Sequence, residues 1–126
     1  MSTIKRILVV DDDVAMKTLL LDFLQRQGYS VTATSSVEGA LSYLNSLPTH
    51  LSPNLVVSDV KMGIASGIDL AKKLSTERPL LPVILFSVFE GHKKEALKNG
   101  ASKFLRKPFA LAVLATAIAE LLNDKK

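Results

Sequence analysis

At 126 residues the chain has the length of one ordinary domain, assigned here to residues 1–126 with a structured core of about 4–122, and long enough to bury a real core. Its 48% hydrophobic and 22% charged content excludes a disordered chain, and the absence of cysteine excludes disulfides and thiolate metal sites and fits a reducing cytoplasm. The net charge of +4 is mild and reads as a solvated basic face, so no direct nucleic-acid binding is expected. The opening residues, Met1-Ser2-Thr3-Ile4-Lys5-Arg6, reach three aspartates after only a few apolar residues, which is not a signal-peptide pattern. No run elsewhere is long enough to cross a bilayer, so a cytoplasmic location with no membrane partner is expected.

The chain then alternates short apolar strands with helices, five times over. Residues 4–10 form the first strand, and residues 14 to about 27 a helix with Met16, Leu20, Phe23 and Leu24 facing inward and Gly28 just past its end. Residues 30–34 are the second strand. Ser35 is read as the cap of the second helix, with Glu38 completing a Ser-x-x-Glu box and Ala40, Leu41 and Leu44 making the apolar face. Pro48 and Pro53 punctuate the loop into the third strand at Leu55. Ser66, with Asp69 three residues on, opens a third helix that runs to about Glu77 before Pro79. Residues 83–87 are the fourth strand, followed by a short polar helix from about Gly91 to Asn99 that Gly100 ends. Residues 103–106 are the fifth strand, and Pro108 is expected as the first residue of the last helix. Such alternation means an α/β fold, a parallel sheet covered on both faces, with right-handed crossovers.

The strands' carboxyl ends carry the chemistry. Leu55-Val56-Val57-Ser58-Asp59 is an apolar run, buried on both faces, that stops on a carboxylate. The first strand delivers Asp11, Asp12 and Asp13, the third Asp59, the fourth Ser87 and the fifth Lys107, all on the sheet edge where open α/β folds bind ligands. Two carboxylates about 5 Å apart repel by roughly 3 kcal/mol at an effective dielectric near 20. Gathering Asp11, Asp12 and Asp59 is therefore unfavourable unless a cation sits among them or some carry protons. All-oxygen ligation without His or Cys points to Mg²⁺ or Mn²⁺. A cation, an ammonium and a hydroxyl around a carboxylate suit phosphoryl transfer, which asks mostly for positioning and charge neutralisation. Asp59 is then the nucleophile.

Ile7-Leu8-Val9-Val10-Asp11-Asp12-Asp13, Leu55 to Met62, Ser66-Gly67, Ser87, Gly100-Ala101 and Lys107-Pro108-Phe109 together resemble the receiver domain of two-component response regulators, over essentially the whole chain. The resemblance implies a doubly wound, flavodoxin-like sheet of five parallel strands in the order 2-1-3-4-5 with five helices, so that Asp12 and Asp59 meet at the topological switch point. It implies that Asp59 takes a phosphoryl group from a histidine kinase or phosphotransfer protein. It implies Mg²⁺ held by Asp12, by Asp11 through water, by Asp59 and by the backbone carbonyl of Lys61. Lys107 would contact the phosphoryl group, Ser87 would turn towards it, and Phe104 would move inward as the aromatic switch. The family is a signalling one, so multiple turnover of a substrate is not expected.

Plainer readings stand beside these. Asp13 is read as a helix cap, and Phe104 first of all as core. His50 and His92 have no visible partners and read as loop and surface residues. Lys93, Lys94, Lys98, Lys103 and Arg106 read as a solvated face. The last helix puts Leu111, Leu114, Ile118, Leu121 and Leu122 on its core side and offers Ala112, Val113, Thr116 and Ala119 opposite, with little charge. That side, with the fourth helix and fifth strand, is expected to meet a second receiver or a tethered output domain.

Two positions depart from the family pattern. Gly63 and Ile64 replace a common Pro-Gly, leaving the loop more freedom, and Val88 replaces a common Ala or Gly and is expected to limit access to the phosphoryl group. One rival is a pseudo-receiver that never takes phosphate, yet no key group is missing. A second, an Asp-nucleophile Mg²⁺-dependent phosphohydrolase, usually carries a cap insertion for which the chain is too short, and Lys107-Pro108-Phe109 fits the receiver better. No Walker loop or Gly-x-Gly-x-x-Gly follows the first strand to support nucleotide binding.

Overall fold

Five apolar runs form the strands of one parallel sheet: β1 (Arg6–Val10), β2 (Ser30–Thr34), β3 (Leu55–Asp59), β4 (Val83–Ser87) and β5 (Lys103–Arg106). Their order in the sheet is β2-β1-β3-β4-β5, as the resemblance implies. Helices α1 (Val14–Arg26), α2 (Val37–Ser46), α3 (Gly67–Glu77), α4 (His92–Lys98) and α5 (Leu111–Leu122) make the connections, with one 3₁₀ turn at Thr49–Leu51 that holds the exposed His50. The computed structural model describes residues 4–63 and 65–123; residues 1–3 of the opening segment, Ile64 and residues 124–126 lie outside the described residues.

Successive residues of a strand face opposite sides, and this period sorts the core into two layers. Leu8, Val10, Val56 and Leu85 face α2, α3 and α4 through Ala40, Leu44, Leu70, Leu74 and Ala96. Ile7, Val9, Val57, Ile84 and Phe86 face α1 and α5 through Leu20, Leu24, Leu114 and Ile118. Both faces are covered, which is why β1, β3 and β4 read as continuous apolar runs rather than alternating ones. No helix among the described residues is long and apolar enough to cross a membrane.

The caps show where local signals mislead. Asp13 caps α1, accepting from Ala15 N at 3.2 Å, and Ser66 and Asp69 form the expected capping box of α3. The second helix, however, is capped by Ser36, whose Oγ accepts from Gly39 N at 2.9 Å, and not by Ser35. Val37 is buried in the core layer, and that burial fixes the helix register one residue beyond the Ser35-x-x-Glu38 spacing. Ser35 Oγ instead accepts a hydrogen bond from Lys17 Nζ. Pro108 likewise does not begin the last helix, which starts at Leu111 after Ala110. Lys107 N still donates to Ser87 O at 2.8 Å, prolonging the pairing with β4, and the Phe109 ring packs 5.6 Å from that of Phe86, so the chain reaches α5 three residues later. The Lys107–Pro108 peptide is cis.

Register brings the acids together. Val10 pairs with Ser58 across β1 and β3, so the next residues, Asp11 and Asp59, end these adjacent strands side by side. Gly67 then closes the loop after β3: its N–H donates to Val60 O at 2.8 Å, and a Cβ there would lie 2.1 Å from the Asp59 carbonyl oxygen. Only glycine permits α3 to start so close to the residue that ends β3.

Candidate functional site

Asp11, Asp12 and Asp59 each offer a carboxylate oxygen within 4.8 Å of the others. Asp11 is fully buried, Asp59 partly so and Asp12 exposed. Asp11 Oδ1 accepts from Asp13 N at 2.9 Å, while its Oδ2 is buried with no hydrogen-bond partner among the described residues. Burial raises the Asp11 carboxyl above its ordinary value against the lowering pull of the Asp13 N–H, and the nearby Asp59 charge raises it further. Burial raises Asp59 as well; Lys107 and the Val60 and Lys61 N–H groups pull it down, and Asp12 pushes it up.

Lys107 Nζ stands 3.7 Å from Asp59 Oδ2 and 4.8 Å from the centre of the Phe86 ring, so an ion pair and a ring face both hold it at the site. Three carboxylates thus face one ammonium, and when all are ionised the excess negative charge is what one divalent cation neutralises. An unpartnered buried carboxylate oxygen, an all-oxygen donor set and raised carboxyls fit Mg²⁺ or Mn²⁺. Beside Asp12 lies a cleft of about 470 Å³ that Lys61, Met62, Gly63, Ser66 and His92 help to line. Gly63 takes the left-handed backbone at φ 47°, and Val88 is 64% exposed just after β4.

Ser87 is buried, and its oxygen accepts from Phe89 N at 3.1 Å and lies 2.8 Å from His92 Nδ1. His92 therefore has a partner that its sequence context concealed, and the reading of it as an unengaged surface residue is corrected. Its signal was position: it opens the helix that follows Ser87, close enough for the β4–α4 loop to fold back on the strand end. Phe104 is not at the acidic cluster. It packs against the α2–α3–α4 layer and lines a groove of about 550 Å³ with Leu97, Val113 and Thr116, spanned by the 2.7 Å Lys103–Glu120 ion pair.

The fold and site are those of a signalling domain of two-component systems. The family model for the response regulator receiver domain matches residues 7–119, and the chain belongs to that family. It is 38% identical over 114 residues to the transcriptional regulatory protein FixJ of Bradyrhizobium diazoefficiens, covering 86% of this chain and 52% of FixJ. It is 34% identical over 122 residues to the DNA-binding transcriptional regulator NtrC of Rhizobium meliloti, covering 95% of this chain and 24% of NtrC. The chain thus spans about half, or less, of the curated relatives it matches. The response regulator TrrA of Thermotoga maritima, solved in complex with Mg²⁺ and BeF, superposes with a TM-score of 0.84 at 27% identity, covering 94% of this chain and 99% of that one. A CheY-like receiver domain protein from Methanospirillum hungatei gives a TM-score of 0.87 at 27% identity, with 97% and 96% covered.

The raised carboxyls have a consequence for stability. Asp11 and Asp59 bind protons more tightly folded than unfolded, so their contribution favours folding below the ordinary carboxylate pKa and is lost as pH rises through the raised folded values. In buffer without divalent cations, Asp11→Asn keeps an acceptor for Asp13 N and removes a buried charge. At neutral pH it should unfold roughly 4 °C above the wild type, the equivalent of about 1 kcal/mol, with the gap closing towards about pH 4. Thermal unfolding followed by circular dichroism across that range checks this, and equal midpoints at neutral pH contradict it.

Proposed function

We propose that Asp59 is the phosphoacceptor of this receiver, taking its phosphoryl group from the phosphohistidine of a histidine kinase or phosphotransfer protein. The observation that carries the reading is the convergence of Asp11, Asp12 and Asp59 with the Lys107 ammonium 3.7 Å from Asp59. In the step, an Asp59 oxygen bonds to phosphorus as the P–N bond breaks, and the histidine nitrogen leaves with the electron pair. Lys107 offsets the charge on the transferring oxygens, and the Ser87 hydroxyl donates to one of them. Asp12, Asp59 and the Lys61 carbonyl would hold Mg²⁺, or Mn²⁺ in its place, with Asp11 helping through water. Such an ion, when bound, would supply the positive charge that screens the Asp59 carboxylate from an anionic donor.

The acyl phosphate matters to a partner only through contacts that differ between two conformers. Ser87 moving to the phosphoryl group, with Phe104 following inward, is that difference, and α4, β5 and α5 are the face it alters. TrrA, solved with Mg²⁺ and BeF, supports the site reading by likeness, and the transcriptional names of FixJ and NtrC support an output role in regulation.

Intact-mass measurement with Mg²⁺ and a small acyl phosphate tests the site. The wild type gains one phosphoryl group and Asp59→Asn none; equal labelling of both removes Asp59 from the role. Val88, exposed directly after Ser87, is expected to limit donor access, so Val88→Ala should take up phosphate from the same donor several-fold faster, and an unchanged rate removes the steric account. Val113 and Thr116 are exposed on α5, where a partner is proposed to seat. The phosphorylated protein is expected to self-associate through this face in sedimentation and Val113→Glu with Thr116→Lys to abolish it; association that survives both changes places the contact elsewhere.

A further inference from the structure

We propose that His92 is a positioning residue that holds the Ser87 hydroxyl away from the phosphoacceptor and so ties the start of α4 to the state of the site. The inference rests on the reading of Asp59 as phosphoacceptor. A serine hydroxyl has one proton to donate. The Phe89 N–H already fills one lone pair of the Ser87 oxygen at 3.1 Å, and the His92 Nδ1 atom lies 2.8 Å away. With the ring proton on Nε2, Nδ1 takes the Ser87 proton, which is the one a phosphoryl oxygen requires. Among the described residues, Ser87 Oγ makes no hydrogen bond to the Asp59 carboxylate.

Local packing holds the imidazole in place. The Phe89 ring meets it edge to face, with centroids 4.9 Å apart and planes at 88°. Gly91 lets that ring lie close, since a Cβ at Gly91 would stand 2.4 Å from Phe89 Cζ. His92 N also donates to Phe89 O at 3.1 Å. The same histidine is the first residue of α4, a helix of 7 residues in which Ala96 alone is buried. So short and shallow an element has little core burial to fix its first turn, and the tie to Ser87 adds to the Phe89 contacts that hold it. When the hydroxyl turns to a phosphoryl oxygen it must leave His92. The start of α4 is released in the same event, and the strength of the Ser87–His92 bond sets part of the cost of switching.

Beryllofluoride, used with Mg²⁺ as a phosphoryl mimic, tests this in the full chain without a kinase, its affinity read by fluorine NMR or calorimetry. His92→Phe keeps an aromatic ring against Phe89 and removes Nδ1. It should bind beryllofluoride about fivefold more tightly than the wild type, as expected from losing one competing hydrogen bond of ordinary net strength. His92→Asn, whose amide reaches the position of Nδ1, should restore affinity towards the wild-type value. In a Ser87→Ala background His92→Phe should have no effect. An unchanged or weaker affinity in His92→Phe, or the same gain in the Ser87→Ala background, overturns the proposal while leaving the Asp59 reading intact. Wild-type protein that binds no beryllofluoride in an Asp59-dependent manner overturns both.

Discussion

Electrostatic repulsion among Asp11, Asp12 and Asp59 is the constraint on which the rest of this structure depends. The register of β1 against β3 places Asp11 and Asp59 side by side, and burial deprives them of the water that would screen them. At a separation near 5 Å and an effective dielectric near 20, Asp11 and Asp59 would repel by roughly 3 kcal/mol, and the exposed Asp12 adds a smaller push on Asp59. The sheet resists this because Ile7, Leu8, Val9 and Val10 are each 0–1% exposed, and four such side chains supply roughly 6–12 kcal/mol by burial, taken as an upper bound. The acids cannot relax outward without unpacking the central strands. The site therefore carries a standing deficit of positive charge that one lysine only partly meets.

That deficit connects chemistry to conformation. Ser87 and Lys107 sit at the ends of β4 and β5, and Lys107 N donates to Ser87 O, so a backbone hydrogen bond ties the two strand ends together. Ser87 is engaged through Phe89 and His92 with the beginning of α4, whereas Phe104 of β5 lies in the groove shared with α5. A short covalent and hydrogen-bonded path thus joins the acidic cluster, through Lys107 and Ser87, to the start of α4.

Much of this was legible in the sequence, and for identifiable reasons. Strands buried on both faces leave unbroken apolar runs, so β3 and β4 were located to the residue and the α/β alternation set the fold. Charged residues that terminate such runs can only be at the sheet edge, which placed Asp11, Asp12, Asp59 and Lys107. What local patterns did not resolve were choices made by tertiary packing. Ser35 and Ser36 are equivalent as caps until the burial of Val37 decides between them, and Pro108 is a good helix opener until Phe109 is drawn onto Phe86. His92 was missed because its partner is side chain to side chain across a loop, a contact that no periodicity encodes.

The most direct test of the central claim is titration of the aspartate carboxyl carbons by NMR, with and without Mg²⁺. The account predicts that Asp11 and Asp59 titrate above the ordinary carboxylate value in the metal-free protein and that saturating Mg²⁺ brings both down. Ordinary values for both without metal, unmoved by Mg²⁺, would contradict it.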